Sequence, residues 1–211
     1  MGVGHPLVLL LVLAVLGTRA APAPEDCPKL TKALTKADLQ RVSGDWVLVW
    51  SQGTSDNATE AELWKKLMST HAEFRLHSDT IVYRERNLFS ENLCISFNAN
   101  MSLSSENQQE FTITSHSMEE NGVVTLLNDN ATMKFYETCA DCLSSEYIGD
   151  MGHYLMIYRR DGLHQKAEEL KAAQVYGQEM AGCLGFPLDK EPFIYDGVAD
   201  FCHRKAAKPE A

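Results

Sequence analysis

Across residues 43–158 apolar and polar positions alternate in short stretches, each closed by turn-forming residues. A period of two marks strands with one buried face. It predicts eight strands: residues 46–51, 72–77, 80–86, 93–103, 110–116, 123–127, 132–138 and 153–159. The separators are chemically explicit. Ser78-Asp79, Glu119-Glu120-Asn121-Gly122 and Asn128-Asp129-Asn130 tolerate positive φ and favour tight hairpins. Antiparallel strands joined in sequence predict an all-β, up-and-down meander, and closing it into an eight-stranded barrel removes the exposed edges.

Two stretches carry a helical period instead. Residues 60–68 read either as a short helix or lid, or as a solvated loop with Trp64 and Leu67 tucked inward. Farther on, Leu163, Ala167, Leu170, Ala173, Gly177, Met180 and Leu184 recur every three or four residues. That stripe predicts one C-terminal α-helix packed outside the sheet, with Asp161 as its N-cap and Gly182 and Gly185 as its stop. Residues 192–195 predict a short edge strand, and 206–211 a flexible tail.

Composition narrows the class. The chain has 211 residues, 45% apolar and 23% charged, which suits one globular domain with a sizeable core. Its net charge of −10 disfavours phosphate backbones and anionic lipid, so neither a nucleic-acid partner nor membrane insertion is expected. Residues 7–16 form an unbroken apolar run too short to span a bilayer, followed by Thr18 and Ala20 at the −3 and −1 positions of a cleavage site. Residues 1–20 therefore read as a signal peptide and 21–205 as the domain, of an extracellular, secreted protein. Asn57-Ala58-Thr59, Asn100-Met101-Ser102 and Asn130-Ala131-Thr132 fit the N-glycosylation acceptor pattern. The six cysteines, Cys27, Cys94, Cys139, Cys142, Cys183 and Cys202, suit a disulfide framework, with fifteen possible pairings.

A leading turn over residues 35–40, Gly44-Asp45-Trp46 at the mouth of the first strand, eight strands and one late helix together resemble a lipocalin. In that family the glycine admits a tight turn and the tryptophan plugs the closed end under a basic side chain from the last strand, here Arg159 or Arg160. Within the family the chain is similar to the α1-acid glycoprotein (orosomucoid) branch and its fish saxitoxin/tetrodotoxin-binding and tributyltin-binding relatives. The residues that carry this are Cys27-Pro28-Lys29-Leu30, Ser43-Gly44-Asp45-Trp46, Asp79-Thr80-Ile81 with Tyr83-Arg84-Glu85, Asn92-Leu93-Cys94-Ile95, Gly182-Cys183-Leu184 before Pro187, and Phe201-Cys202. The resemblance implies bridges Cys27 to Cys183 and Cys94 to Cys202. Cys139-Ala140-Asp141-Cys142 departs from the branch. A local bridge at a hairpin end is the expected reading, against a redox couple or half a zinc site.

An eight-stranded barrel encloses about one small ligand. Setting Trp46 inward puts Leu48 and Trp50 on the lumen. Taking Cys94 outward turns Ile95 and Phe97 in. Apolar bulk adds Phe74, Leu76, Ile81, Tyr83, Phe111, Ile113, Phe135, Tyr154 and Met156. The same phase carries Glu85 and Glu137 either into the barrel or its mouth, as a site for a hydrophobic cation or guanidinium, or to strand ends in solvent. No catalytic motif, metal-ligand spacing or cofactor fingerprint is apparent. The expected function is that of a monomeric secreted protein that carries or sequesters a small hydrophobic or cationic molecule of toxin or xenobiotic type. A secreted acute-phase or immunomodulatory glycoprotein is the alternative, and a lipocalin-type isomerase a more distant one.

Overall fold

Strand β1 (Gly44–Gly53) opens on a glycine and buries a tryptophan two residues later, and that pair closes one end of the molecule. A computed structural model describes residues 25–54, 62–103 and 109–205. The expected signal peptide, the Asn57 sequon, the first residues of the 60–68 patch and the expected tail from 206 onward lie outside the described residues. Trp46 Nε1 donates to the Val42 carbonyl at 2.9 Å, and the Arg160 guanidinium carbon lies 4.2 Å from the ring centroid. Gly44 has φ +144°, and a Cβ there would stand 2.5 Å from Arg160 Nη1, so a side chain would displace the cation from the ring. A 3-10 turn, Lys36–Arg41, lies just before the plug with Leu39 buried.

The wall continues through β2 (Leu67–His77), β3 (Thr80–Phe89), β4 (Cys94–Leu103), β5 (Glu110–Glu120), β6 (Val123–Leu127), β7 (Thr132–Tyr136), β8 (Cys142–Gly149) and β9 (Gly152–Arg160). Every pairing is antiparallel, and β9 returns to β1, closing an eight-stranded barrel in the order β1-β2-β3-β4-β5-β7-β8-β9. The number matches the sequence expectation, but the membership does not. β6 and β7 lie end to end along β5, β6 pairing with residues 116–120 and β7 with 110–112, and β6 stands off the closed path. The eighth stave is β8, whose pattern conceals it. Ser144 and Ser145 are fully buried and Glu146 nearly so, and polar side chains on both sides of a strand erase the alternation.

Helix α1 (Cys27–Leu30) is a single turn, and α2 (Ala167–Leu184) packs on β1 and β9 through Leu170, Ala173, Gly177, Met180 and Ala181. It ends at Gly185, in the left-handed region at φ +79°. Its N-cap is Lys166, not Asp161. Asp161 faces another way: its carboxylate meets His71 at 3.5 Å and accepts from Arg204 at the base of the C-terminal segment. Burial would raise its pKa, yet those hydrogen bonds hold the carboxyl far below the usual range. The short strand β10 (Phe193–Ile194) pairs with β1 at Ser51 and Trp50.

The disulfides Cys27–Cys183, Cys94–Cys202 and Cys139–Cys142 join the N-terminal arm to the end of α2, the C-terminal segment to β4, and the two sides of the turn before β8. The helix contact is tight at one point. A Cβ on Gly177 would sit 2.5 Å from Cδ2 of the buried Trp50 ring. Gly177→Ala therefore sets a helix-propensity gain of roughly 1 kcal/mol against an overpacking cost of about 1–3 kcal/mol. The disulfide at Cys183 keeps the helix from retreating, so we expect a lower melting temperature by circular dichroism. An unchanged or raised midpoint would show that the helix slides.

Candidate functional site

The end of the barrel opposite Trp46 is hollow. A cavity of about 680 Å³ lies there, with a mainly apolar wall. β1 contributes Leu48 and then Ser51 and Gly53, because its register with β9 shifts between Leu48 and Trp50. That bulge corrects one expectation. Val49 and Trp50 both turn out to the helix-side core with Tyr195 and Met180, so Trp50 does not face the lumen.

Of the expected lining, Leu48, Tyr83, Glu85, Phe97, Tyr154 and Met156 border the cavity. Phe74, Ile81, Phe111 and Phe135 point into the barrel but fill its closed half, with Phe74 and Phe135 edge to face at 5.5 Å. Ile95 and Ile113 are buried in the same core, and Leu76 packs against it; none of the three lines the cavity. Interior packing and ligand lining draw on the same side chains, so alternation alone does not separate them.

The two carboxylates part company. Glu137 lies beyond the end of β7, where the chain leaves the barrel to pair with the N-terminal arm. Its amide donates to the Lys32 carbonyl and its carboxylate meets Lys32 Nζ at 2.8 Å, so it takes no part in the lumen. Glu85 stays inside and is buried. Tyr83 Oη and Asn87 Nδ2 donate to it, and Asn87 accepts in turn from Thr70 Oγ1 at 2.6 Å. Among the described residues no Lys or Arg pairs with it. Burial raises the Glu85 pKa, opposed by the bonds from Tyr83 and Asn87 and by His116. The Tyr83 hydroxyl is pushed well above its usual value, by burial first and then by the charge of Glu85.

The sequence reading did not single out a second polar corner, on β5 beyond β4. His116 Nδ1 lies 3.1 Å from Asp129 Oδ2, Tyr147 Oη donates to the same carboxylate, and the Asp150 amide donates to Oδ1 at 2.8 Å. Burial and the bond to Asp129 raise the Tyr147 pKa. This corner is assembled from β5, the β6–β7 loop and β8: the pairing of His116 with Leu127 sets Asp129 beside the imidazole, and β8 adds Tyr147. Trp64, in the patch expected either as a short helix or lid or as a loop with this residue tucked inward, covers the mouth with its ring 5.5 Å from Tyr154 and 6.1 Å from Phe89. Lys65, Lys190 and Glu191 form part of the rim.

A solved siderocalin, Ex-FABP, described as functioning through dual ligand specificities, superposes on 74% of this chain and 93% of its own with a TM-score of 0.54 at 12% identity. With the closed eight-stranded wall and the Trp46–Arg160 plug, that decides the architecture. The chain has the lipocalin fold. No family model matches it. Its sequence is similar to "Saxitoxin and tetrodotoxin-binding protein 1" of Takifugu pardalis, 62% identical over 206 residues, and to protein 2 of the same fish, 61% identical. Those matches cover 98% of this chain and 52% of each relative, so the chain spans about half the length of the curated relatives it matches.

Proposed function

We propose that this lipocalin is a secreted carrier that holds one small organic cation in its barrel, with Glu85 as the counter-charge. The single observation that carries this is Glu85 itself. It is a buried carboxylate at an apolar, aromatic-lined cavity, bonded to neutral donors and without a Lys or Arg partner among the described residues. A buried charge in that state is costly, and an incoming cation removes the cost by charge-assisted hydrogen bonding. Tyr83, Phe97 and Trp64 offer ring faces to the same guest. The relatives' names point the same way, since saxitoxin and tetrodotoxin are guanidinium compounds. A cysteine-based isomerase lacks support, because no free cysteine occurs among the described residues.

Secretion belongs to the same reading: cleavage after Ala20, three disulfides, and sequons whose asparagines at 100 and 130 are exposed on β4 and in the β6–β7 loop. We further assign the carrier as a monomer.

The test is a titration of the mature protein with saxitoxin, tetrodotoxin, tributyltin and a neutral steroid, followed by tryptophan emission and native mass spectrometry. The expected result is a one-to-one complex with the guanidinium ligands and weaker binding of the steroid. Preference for the neutral ligand would overturn the assignment. Trp46 and Trp50 are sealed in the two cores, so the emission change should arise from Trp64. Trp64→Phe is expected to remove most of the signal while calorimetry still detects binding, and Trp50→Phe to leave the signal in place.

A further inference from the structure

His116 projects from β5 into the barrel opposite Ala99, with its ring 5.9 Å from that of Phe97, and is only 9% exposed. Asp129 holds it in one orientation. That carboxylate is itself buried and is fixed from three sides, by His116 Nδ1, by Tyr147 Oη and by the Asp150 amide. In its neutral form, an imidazole that gives its Nδ1–H to a fixed carboxylate carries a lone pair on Nε2. No described residue bonds to Nε2, and the ring borders the cavity. The charged and titratable groups facing it are Asp129 from the β6–β7 loop, Tyr147 from β8 and Glu85 from β3, which is separated from β5 by β4 alone. Glu85 and His116 therefore present acceptors to the guest from the two strands that flank β4.

We propose that His116 is a second polar anchor of this cavity, whose Nε2 accepts a hydrogen bond from an N–H or O–H of the same cation that Glu85 neutralises. The ligand class narrows accordingly, from any lipophilic cation to one with several donors around its charge, such as a guanidinium. A quaternary ammonium satisfies Glu85 by charge but has nothing to offer His116. The inference rests on the cation-binding reading above, and the experiment separates the two.

Phenethylguanidinium and phenethyl-trimethylammonium are titrated by calorimetry into the wild type, His116→Phe and Glu85→Gln. His116→Phe should weaken the guanidinium by about tenfold or more and leave the quaternary ammonium within about twofold, while Glu85→Gln weakens both. His116→Gln, which keeps a carbonyl acceptor, should lose less than His116→Phe. Equal loss for both cations, or no loss for either, with Glu85→Gln still effective, overturns the role of His116 and leaves the cation reading standing. An ineffective Glu85→Gln, or a wild type that binds neither probe, overturns that reading and this inference with it. Should the Phe variant fail to fold, nitrogen-15 spectra of the wild-type histidines decide. At neutral pH the free protein must show a lone-pair nitrogen on His116 that shifts with the guanidinium and not with the quaternary ammonium; its absence, or equal shifts with both, rejects the anchor.

Discussion

Glu85→Gln is expected to cost about ten- to a hundredfold in affinity for a guanidinium ligand and yet to make the empty protein more stable. The affinity loss follows from removing the negative partner of a charge-assisted hydrogen bond in a low-dielectric site, a change of roughly 1.5–3 kcal/mol. The stability gain comes from the same burial. Glu85 titrates above its ordinary value in the folded chain because desolvation disfavours its charge. Above the folded pKa the carboxylate is charged in both folded and unfolded chains, and only the folded chain bears the desolvation. An amide of the same shape avoids that penalty, and the Tyr83 hydroxyl can turn to meet it. A gain of about 1 kcal/mol would raise the melting temperature by roughly 2–4 °C for a domain of this size.

The pH dependence has a definite sign. The folded-state pKa is raised, so folding takes up a proton between the ordinary carboxyl range and that raised value. As pH falls through this window, Glu85 destabilises the wild type less, and the stability difference from Glu85→Gln shrinks. Cation affinity moves the opposite way, falling by up to about tenfold per pH unit once Glu85 is protonated, whereas the Gln variant shows no such slope. Calorimetry and thermal melts of both proteins across the acid range measure the two effects together. A variant as unstable as, or less stable than, the wild type at neutral pH, with unchanged affinity, would mean that Glu85 serves packing alone.

The largest stability change is expected from Cys27→Ala/Cys183→Ala. The bridge spans a sequence separation of 156 residues, against 108 for Cys94–Cys202 and 3 for Cys139–Cys142. On the chain-entropy scale each long closure is worth about 5 kcal/mol and the short one about 2 kcal/mol. A domain of this kind holds roughly 5–15 kcal/mol in all, so losing either long bridge removes a third or more of it. Cys27–Cys183 also holds α2 against the barrel, where Trp50 and Gly177 meet. Other contacts retain the arm: the Leu34 amide donates to the Phe135 carbonyl at 2.8 Å, and Lys32 pairs with Glu137. Urea unfolding of the double variant and of Cys139→Ala/Cys142→Ala should rank them in that order. A loss below about 1 kcal/mol for the long bridge would show that those contacts already restrain the arm in the unfolded ensemble.

Much of the architecture was legible because its physical causes are local. Alternation in β3 and the start of β5 followed from one-sided burial, the apolar run of β1 from burial on both faces, and the stripe through Leu170, Ala173, Gly177 and Met180 from a helix with one face on a wall. The Gly44–Trp46 pair marked the closed end for an equally local reason, a backbone conformation and a contact that glycine permits. β8 escaped because Ser144 and Glu146 are buried polar residues, and β6 misled because its apolar side chains are exposed, Val123 by 67% and Leu126 by 84%. In both strands burial and polarity are uncoupled, and pattern reading assumes that they are linked.

The amino-acid sequence by itself determined an antiparallel wall of short strands and an outer helix, since those need only the period of their apolar residues; the plugged end was implied by the resemblance that Gly44-Asp45-Trp46 carries, and the eighth stave, β8, came only from the tertiary structure. Only the tertiary structure decided which of the inward side chains line the cavity. A one-residue bulge after Leu48 turns Trp50 out of the lumen, the exit of the chain after Tyr136 takes Glu137 away to Lys32, and the pairing of β5 with β6 brings Asp129 to His116. Strand phase propagates from any single shift in register, so the inside and outside of a barrel are settled by how its staves meet.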